Sequence, residues 1–306
     1  MKFSIYQESR QGPRKSNQDR VAYCYSRDTL CMTIADGMGG HLHGEVAAQI
    51  ATQFVSEAFQ REAQPRLADP FKFLLDSITA AHHAIIDYAN VRSLLETPRT
   101  TCVACIVQDG LAYWAHVGDS RLYLIRNGRV EAQTKDHSRV QILVDAGRIR
   151  EEAVAAHPDR NKIFNCLGQM GPPRVDLSRR TALRDQDTLL LCSDGLWGPL
   201  TSRQLCEELL RTDIMHAVPI LLDMAEVRAG KDGDNASVVA MKWADELEGA
   251  GADWISTVSM DPTHVKTTIE QFGRSKPPPG QTGYLSDDEI ERAIDEIRNA
   301  IKKHSK

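Results

Sequence analysis

Four Asp-Gly pairs are the feature of this 306-residue chain that most directly indicates chemistry. Such pairs usually mark turns, and Asp109 fits that interpretation. Asp36 and Asp194 differ because each ends an apolar, strand-like run, LCMTIAD and TLLLCSD. Asp234, near the fourth pair, precedes a third run. Since strand ends are rigid, carboxylates on neighbouring strands can meet at one rim of a sheet.

Convergent aspartates would suit a hard divalent cation. Mg²⁺ and Mn²⁺ prefer oxygen ligands and take only a few carboxylates, because they keep several waters. The adjacent His82 and His83 lie in a predicted helix and cannot both face one metal ion. Spacing alone leaves two interpretations open, a metal centre and a set of acidic turns.

Hydrophobic periodicity predicts the elements that would position these aspartates. Asp109-Gly110 and Asn127-Gly128 are two-residue hairpin signals between strands. The pattern predicts an α+β fold, with two antiparallel sheets and helices packed outside them. Strands are expected at 2–8, 20–26, 29–35, 101–108, 111–118, 121–126, 129–133, 187–193 and 236–243, and helices at 45–62, 70–90, 138–147, 201–210 and 214–228.

Composition narrows the class of protein. The formal net charge of −5 provides no basic field for nucleic acid. No stretch approaches the roughly 20 apolar residues of a membrane span, so a cytoplasmic protein is expected. The seven cysteines lie in apolar segments, which favours reduced core residues. Cys102 and Cys105 should face opposite sides of one strand, which opposes a zinc or redox pair.

The composition changes after Trp243, which predicts a domain over 1–245 and an extension over 246–306. Linker-like sequence surrounds an expected short helix near 262–272, and a final helix is expected at 287–303. An isoleucine stripe in that last helix could dock on the domain, pair with another copy or bind a partner. Docking on its own domain is the simplest of the three.

Eight segments, in order, resemble the metal-dependent protein phosphatases, the type-2C serine/threonine phosphatases, and especially their bacterial branch. Each segment is weak alone, but eight in sequence are highly specific. They are GPRKSNQD (12–19), ADGMGGHLHGEVAA (35–48), RTTCVACIV (99–107), AHVGDSRLYLIRNG (115–128), KDHS (135–138), RNKIFNCLG (160–168), LLLCSDGLW (190–197) and GDNASVV (233–239).

The resemblance implies a central β-sandwich flanked by helices on both sides, with two Mn²⁺ or Mg²⁺ ions at one end. Asp36 would bridge the two ions, and the Gly37 carbonyl would bind one of them. Asp194 and Asp234 would bind the other. Asp19 would act through a metal-bound water. Asp119, in GDSR, would help Asp194 hold a third, weaker ion.

The resemblance also implies an activity. Arg14 would clamp the phosphate of a phosphoserine or phosphothreonine protein, because its planar fork makes paired hydrogen bonds. A hydroxide shared by two metals would attack phosphorus in line, without a phosphoenzyme. A serine/threonine kinase, or its substrates, would be the functional counterpart.

One residue departs from the pattern of the animal members of the family. Met38 replaces the histidine of animal members, a candidate general acid, although bacterial members share this methionine. His41 or a metal-bound water could supply the proton, and His41 could equally be a loop cap.

The segment 137–160 matches a mobile flap of the family, but its sequence indicates no preference for a particular peptide substrate.

Three other functions remain as alternatives. A pseudophosphatase would keep the fold without catalysis, but it would not need a complete set of metal-binding aspartates. Another two-metal hydrolase, such as a nucleotidase or nuclease, would share the chemistry, although no basic stripe supports nucleic acid. A phosphatase dedicated to one regulatory switch would differ only in its substrate.

Overall fold

The computed structural model describes residues 1–38, 43–150, 153–154, 157–244, 255–258, 260–261 and 263–269. The described helices are α1 (Gly44–Glu62), α2 (Pro70–Val91), α3 (Arg139–Asp145), α4 (Asp194–Trp197), α5 (Ser202–Arg211) and α6 (Ile214–Ala229). The described strands are β1 (Lys2–Arg10), β2 (Asp19–Tyr25), β3 (Thr29–Asp36), β4 (Cys102–Gln108), β5 (Leu111–Val117), β6 (Arg121–Arg126), β7 (Arg129–Gln133), β8 (Asp176–Leu177), β9 (Thr181–Ala182), β10 (Thr188–Cys192), β11 (Ala236–Ala244), β12 (Ile255–Ser256) and β13 (Lys266–Ile269).

Two antiparallel sheets form the centre of the molecule. One sheet has the strand order β12-β1-β11-β10-β6-β7, and the other has the order β13-β2-β3-β4-β5-β8, with β9 also pairing with β5. Helices cover the outer face of each sheet, so the layers are helix, sheet, sheet, helix. The predicted α+β sandwich is confirmed.

Apolar side chains fill the three spaces between the layers. Phe3, Met32 and Leu191 lie between the two sheets with no exposed surface. α1 and α2 pack on the second sheet through residues such as Phe59 and Ile85. α4, α5 and α6 contribute side chains to a third cluster against the first sheet. Three buried layers of this kind hold the strand ends rigid, which a site at those ends requires.

Local sequence signals account for several element boundaries. Asp69 caps α2 by accepting hydrogen bonds from two main-chain amides, and Pro70 occupies the first helical position. Thr201 and Gln204 form a reciprocal capping box at the start of α5. Asp109 and Gly110 both have positive φ, 55° and 69°, as the predicted tight hairpin turn requires.

The segment after β11 departs from the prediction. Residues 266–269 form β13, which pairs with β2, so the helix expected near 262–272 is wrong for this part of the chain. Residues 255–256 form β12, which pairs with β1. The sheet edges of the domain supply hydrogen-bonding partners that local periodicity does not report. The helix expected at 287–303 lies outside the described residues, and the domain boundary near 245 stays a prediction.

Two expectations about sequence composition can be compared with the structure. All seven cysteines are free and buried, and Cys102 and Cys105 belong to core clusters on opposite faces of the second sheet, as predicted. Within the described part of the chain, no helix has the length and apolar character needed to cross a membrane.

Candidate metal centre

Asp19 and Asp36 lie opposite each other where β2 begins and β3 ends. Asp19 is fully buried, and its Oδ2 accepts a hydrogen bond of 2.7 Å from the Ser193 hydroxyl. Asp36 keeps partial exposure, and its main-chain amide donates to the Thr101 hydroxyl at 2.9 Å. The sheet therefore presents one enclosed carboxylate and one open carboxylate at the same rim.

Asp194 and Asp234 come from the other sheet. Asp194 begins the one-turn helix α4 directly after β10, and Asp234 lies two residues before β11, the strand beside β10. Gly195 allows α4 to lie against the start of β11, because a Cβ at this position would stand 2.0 Å from the Asn235 carbonyl oxygen. This close approach brings the two aspartates together.

Asp119 lies in the turn between β5 and β6 and is almost completely buried. The next residue, Ser120, shares a 2.7 Å hydrogen bond with Thr101, whose hydroxyl also binds the Asp36 amide. The GDSR turn is thus connected to the end of β3 through one threonine side chain.

Gly37 continues from Asp36 in a crowded stretch of main chain. Its amide donates to the Gln18 carbonyl at 3.2 Å. A Cβ on Gly37 would lie 2.4 Å from the Gly44 carbonyl oxygen, so only glycine fits here. The start of α1 therefore packs directly against the residue whose carbonyl is predicted to bind a metal ion.

The five aspartates interact electrostatically. Removal from water, followed by the charges of Asp19, Asp194, Asp119 and Asp234, holds the pKa of Asp36 well above its usual value. Burial and neighbouring carboxylates raise the pKa of Asp19 to about 7, against hydrogen bonds from serine hydroxyls. Burial and Asp234 raise the pKa of Asp194 to about 7. Crowded carboxylates of this kind are stabilised when a cation neutralises them.

Two carboxylate oxygens support a cation more specifically. Asp19 Oδ1 and Asp194 Oδ1 are buried and have no hydrogen-bond partner within the protein. Buried carboxylate oxygens without a partner are costly. The donor set consists of oxygens, which suits Mn²⁺ or Mg²⁺. The residues present therefore fit the predicted metal ions.

Arg14 lies beside this cluster. Its Nη2 binds Asp234 Oδ2 at 2.6 Å, and its Nε donates to the Gly233 carbonyl at 3.2 Å. The side chain is 48% exposed, so part of the guanidinium faces solvent. The arginine predicted to clamp phosphate thus stands next to a predicted metal ligand.

Sequence reasoning missed several residues that hold the site. Ser193 and Ser237 both bind Asp19, and a hydrogen bond of 3.0 Å joins the Ser237 amide to the Ser193 hydroxyl. The Asn235 side chain accepts from the Gln18 amide and donates to the carbonyls of Gln11 and Ser16. Both Ser193 and Asn235 adjoin a predicted aspartate, and that adjacency was the only local signal.

A second group of possible metal ligands lies near the GDSR turn. One ligand atom from each of His116, His137 and Asp176 lies within 4.8 Å of the others. However, His137 Nδ1 accepts from the Gly118 amide at 3.1 Å, which places the proton on Nε2. Arg174 also binds both oxygens of Asp176, at 2.7 and 2.8 Å. With His137 Nε2 3.2 Å from Asp176 Oδ2, these contacts hold His137 and Asp176 in place without a metal ion.

The general acid stays unassigned. Met38 follows Gly37 with partial exposure, and its amide donates to the Arg99 carbonyl at 3.0 Å. His41 lies outside the described residues. In the segment matched to the flap, Ser138 caps α3, and Val140 and Val154 are buried in the cluster against the first sheet. After this segment, the Phe164 amide donates to the His137 carbonyl, and the Asn165 side-chain amide donates to the His137 ring.

Comparison with known proteins identifies the family. The family model described as protein phosphatase 2C matches residues 7–217. The chain belongs to the protein phosphatase 2C family. The predicted family and enzyme class, a phosphoric monoester hydrolase, are confirmed.

Bacterial members of the protein phosphatase 2C family are similar to this chain over most of its length. The serine/threonine phosphatase stp of Listeria monocytogenes is 32% identical over 223 residues, which cover 72% of this chain and 88% of that protein. The serine/threonine protein phosphatase PstP of Mycobacterium tuberculosis is 35% identical over 227 residues, which cover 74% of this chain and 42% of that protein.

Solved protein phosphatase 2C structures have the same fold. Stp1 from Staphylococcus aureus matches with a TM-score of 0.71 and 30% identity, over 78% of this chain and 94% of that chain. A PstP catalytic domain in complex with two manganese ions matches with a TM-score of 0.68 and 31% identity, over 80% of this chain and 99% of that chain.

Proposed function

We propose that the protein hydrolyses phosphoserine and phosphothreonine in other proteins, and that it needs divalent metal ions to do so. The observation that carries this proposal is the convergence of five aspartates from both sheets, together with the two buried carboxylate oxygens, Asp19 Oδ1 and Asp194 Oδ1, that have no partner within the protein. Similarity to bacterial serine/threonine phosphatases supports the substrate class.

Each aspartate would have a separate role in metal binding. Asp36, at the open rim between the sheets, would bridge two ions, with the Gly37 carbonyl on one ion. Asp194 and Asp234 would bind the other ion. Asp19 is enclosed by Ser193 and Ser237, so it would act through an ordered water, and Asp119 would help Asp194 hold a weaker third ion. Bound Mn²⁺ or Mg²⁺ would acidify a coordinated water and neutralise charge on the phosphate.

The protein's own groups orient the reaction. The exposed edge of the Arg14 guanidinium can bind two phosphate oxygens, which fixes the phosphorus atom for in-line attack by water. Asp234 holds that guanidinium in place through the 2.6 Å ion pair. A covalent phosphoenzyme is not needed. Cys192, which precedes the Ser193-Asp194 pair, is fully buried, and burial raises the pKa of its thiol.

The proposed activity implies a biological role. A phosphatase of this class would oppose a serine/threonine kinase by acting on that kinase or on its substrates. Mn²⁺ and Mg²⁺ both fit an all-oxygen donor set, and the manganese ions in the related PstP structure favour testing Mn²⁺ first. A cytoplasmic location remains a prediction from the sequence.

Hydrolysis of a phosphothreonine peptide and of an aryl phosphate, measured with Mn²⁺, Mg²⁺ or chelator, tests the proposal. We expect release of phosphate only with metal, and loss of activity by at least about a thousandfold in Asp36→Asn and Asp194→Asn. The aryl ester isolates the attack step, because its leaving group needs no proton.

Each result has a separate meaning. Loss of activity in both variants, with metal-dependent activity in the wild type, would support the proposed centre. Activity on the aryl ester alone would indicate a narrow protein substrate or a missing proton donor. A folded protein that binds Mn²⁺ but hydrolyses neither compound would contradict the proposal and favour a phosphoprotein-binding role.

A further inference from the structure

Trp197 joins two of the predicted metal ligands. It is the last residue of α4, the one-turn helix that begins at Asp194. Its indole N–H donates to the main-chain carbonyl of Asp119 at 3.0 Å, in a buried hydrogen bond between residues 78 positions apart. One side chain thus connects the helix that carries Asp194 to the turn that carries Asp119.

Arg121 fixes the indole ring from one face. The guanidinium carbon lies 3.6 Å from the ring centroid, a cation–π contact. The guanidinium cannot easily move, because it binds both oxygens of Asp136 at 2.9 and 2.8 Å and donates to the Tyr123 hydroxyl at 3.0 Å. Arg121 and Asp136 are both buried, with side chains 9% and 3% exposed. Trp197 therefore has little freedom to turn its N–H away from Asp119.

The residues on both sides of Asp119 are also fixed. Gly118 exchanges two hydrogen bonds with His137, one from its amide to the ring at 3.1 Å and one to its carbonyl from the His137 amide at 2.9 Å. Ser120 is bound to Thr101 at 2.7 Å. The hydrogen bond from Trp197 restrains the main-chain carbonyl of Asp119 itself.

We infer that Trp197 is a positioning residue for Asp119, and that its indole N–H holds the GDSR turn so that the Asp119 and Asp194 carboxylates face one ion. Trp197 reaches this ion only through Asp119 and α4. The inference rests on the proposed metal centre. Asp36 is held by the pairing of β3 with β2, and Asp234 is held by Arg14. Asp194 is held by the close packing of α4 against Asn235, so loss of the indole N–H should weaken the Asp119–Asp194 ion selectively.

The test replaces the N–H without changing the shape of the side chain. Incorporation of 3-benzothienylalanine at position 197 puts sulfur in place of the indole N–H, and Trp197→Phe provides an ordinary second variant. Calorimetric titration with Mn²⁺ gives the affinity of each ion. We expect the dissociation constant of the weakest ion to rise on the order of fivefold, the effect of one lost hydrogen bond, with the tighter ions unchanged within about twofold.

Trp114→Phe is the matched control. Trp114 is also a buried tryptophan, 6% exposed, but it lies on β5 in the core between the sheets. This substitution should lower the melting temperature without changing the affinity for any Mn²⁺ ion. A parallel measurement of aryl phosphate hydrolysis against Mn²⁺ concentration should show a higher half-maximal Mn²⁺ concentration for the two position-197 variants only.

The remaining results would overturn the inference in different ways. If the benzothienyl variant binds Mn²⁺ as tightly as the wild type, the role of Trp197 is limited to packing in the core. If Trp197→Phe does not fold, the benzothienyl variant alone decides between these roles. Equal weakening of every ion, or only two ions in the wild type, would also remove the selective role. These outcomes leave the proposed function intact if the wild type still hydrolyses phosphoesters with Mn²⁺. A wild type that binds no Mn²⁺ would remove both proposals.

Discussion

At the scale of single residues, the candidate site carries more negative than positive charge. Five carboxylates share one rim, and among the described residues Arg14 forms a direct ion pair with one of them, Asp234. Asp19 Oδ1 and Asp194 Oδ1 are buried without a partner within the protein, and the proposed metal ions would satisfy them. Arg14 thereby has two possible functions, to hold Asp234 and to bind phosphate, which kinetics can separate.

Arg14→Ala is expected to lower kcat/KM on the phosphothreonine peptide about a hundredfold, because it removes paired, charge-assisted hydrogen bonds to the phosphate. Arg14→Lys should recover part of the loss, since it keeps the charge but not the fork. Inhibition by inorganic phosphate provides a direct measure of binding. Lys15→Ala is the control, because it removes the same charge from the neighbouring exposed residue, and a loss of similar size there would mean that only general charge matters.

At the scale of elements, the segment after β11 joins both sheets at the end opposite the aspartates. β12 pairs with Lys2 and Phe3 at the start of β1, and β13 pairs with residues 22–25 at the end of β2. Between the two strands, the fully buried Thr257 donates through its hydroxyl to the Arg27 carbonyl. These pairings cover two sheet edges that would otherwise expose main-chain groups.

A chain that ends at Ala244 should therefore be less stable than a chain that ends at Ile269, which keeps both strands. We expect a melting temperature lower by roughly 5 °C or more in the shorter chain, as the loss of two edge pairings and Thr257 would produce. The kcat on an aryl phosphate should stay within about twofold, because the strands lie away from the site. Equal melting temperatures would show that β12 and β13 contribute no stability.

At the scale of the whole molecule, the candidate site opposes folding when metal is absent. The pKa of Asp19 is raised to about 7 in the folded protein, whereas an unfolded aspartate has its ordinary value near 3.9. The protonated form therefore stabilises the fold fully below about pH 4, and this contribution is lost as pH rises through about 7. A metal ion that binds only the folded protein restores stability by mass action.

Asp19→Asn should consequently stabilise the metal-free protein at pH 8, by on the order of 2–4 kcal/mol, and change it little at pH 4. Asparagine keeps an oxygen that can accept from Ser193 but carries no charge. Thermal unfolding in chelator at both pH values measures the difference. With saturating Mn²⁺ at pH 8, the wild type should gain more stability than the variant. A variant that is less stable than the wild type in chelator at pH 8 would contradict this account.

The sequence by itself determined most elements and supplied the candidate site residues. Apolar alternation, helical spacing and Asp-Gly or Asn-Gly turns act within a few residues, so the strands from β1 to β7 and both long helices follow from local pattern. Asp36, Asp194 and Asp234 were singled out because each adjoins a predicted strand, whereas Asp19 and Asp119 came from the resemblance carried by the eight ordered segments.

Only the tertiary structure decided the contacts between distant parts of the chain. Thr267 and Thr268 became a strand because β2 offered an open edge, although the local spacing of Val265 and Ile269 also suits a helix. The bonds from Ser193 to Asp19 and from Trp197 to Asp119 span 174 and 78 residues. Burial makes such bonds obligatory for polar groups, but which partners meet depends on how the sheets pack, and no local pattern records that arrangement.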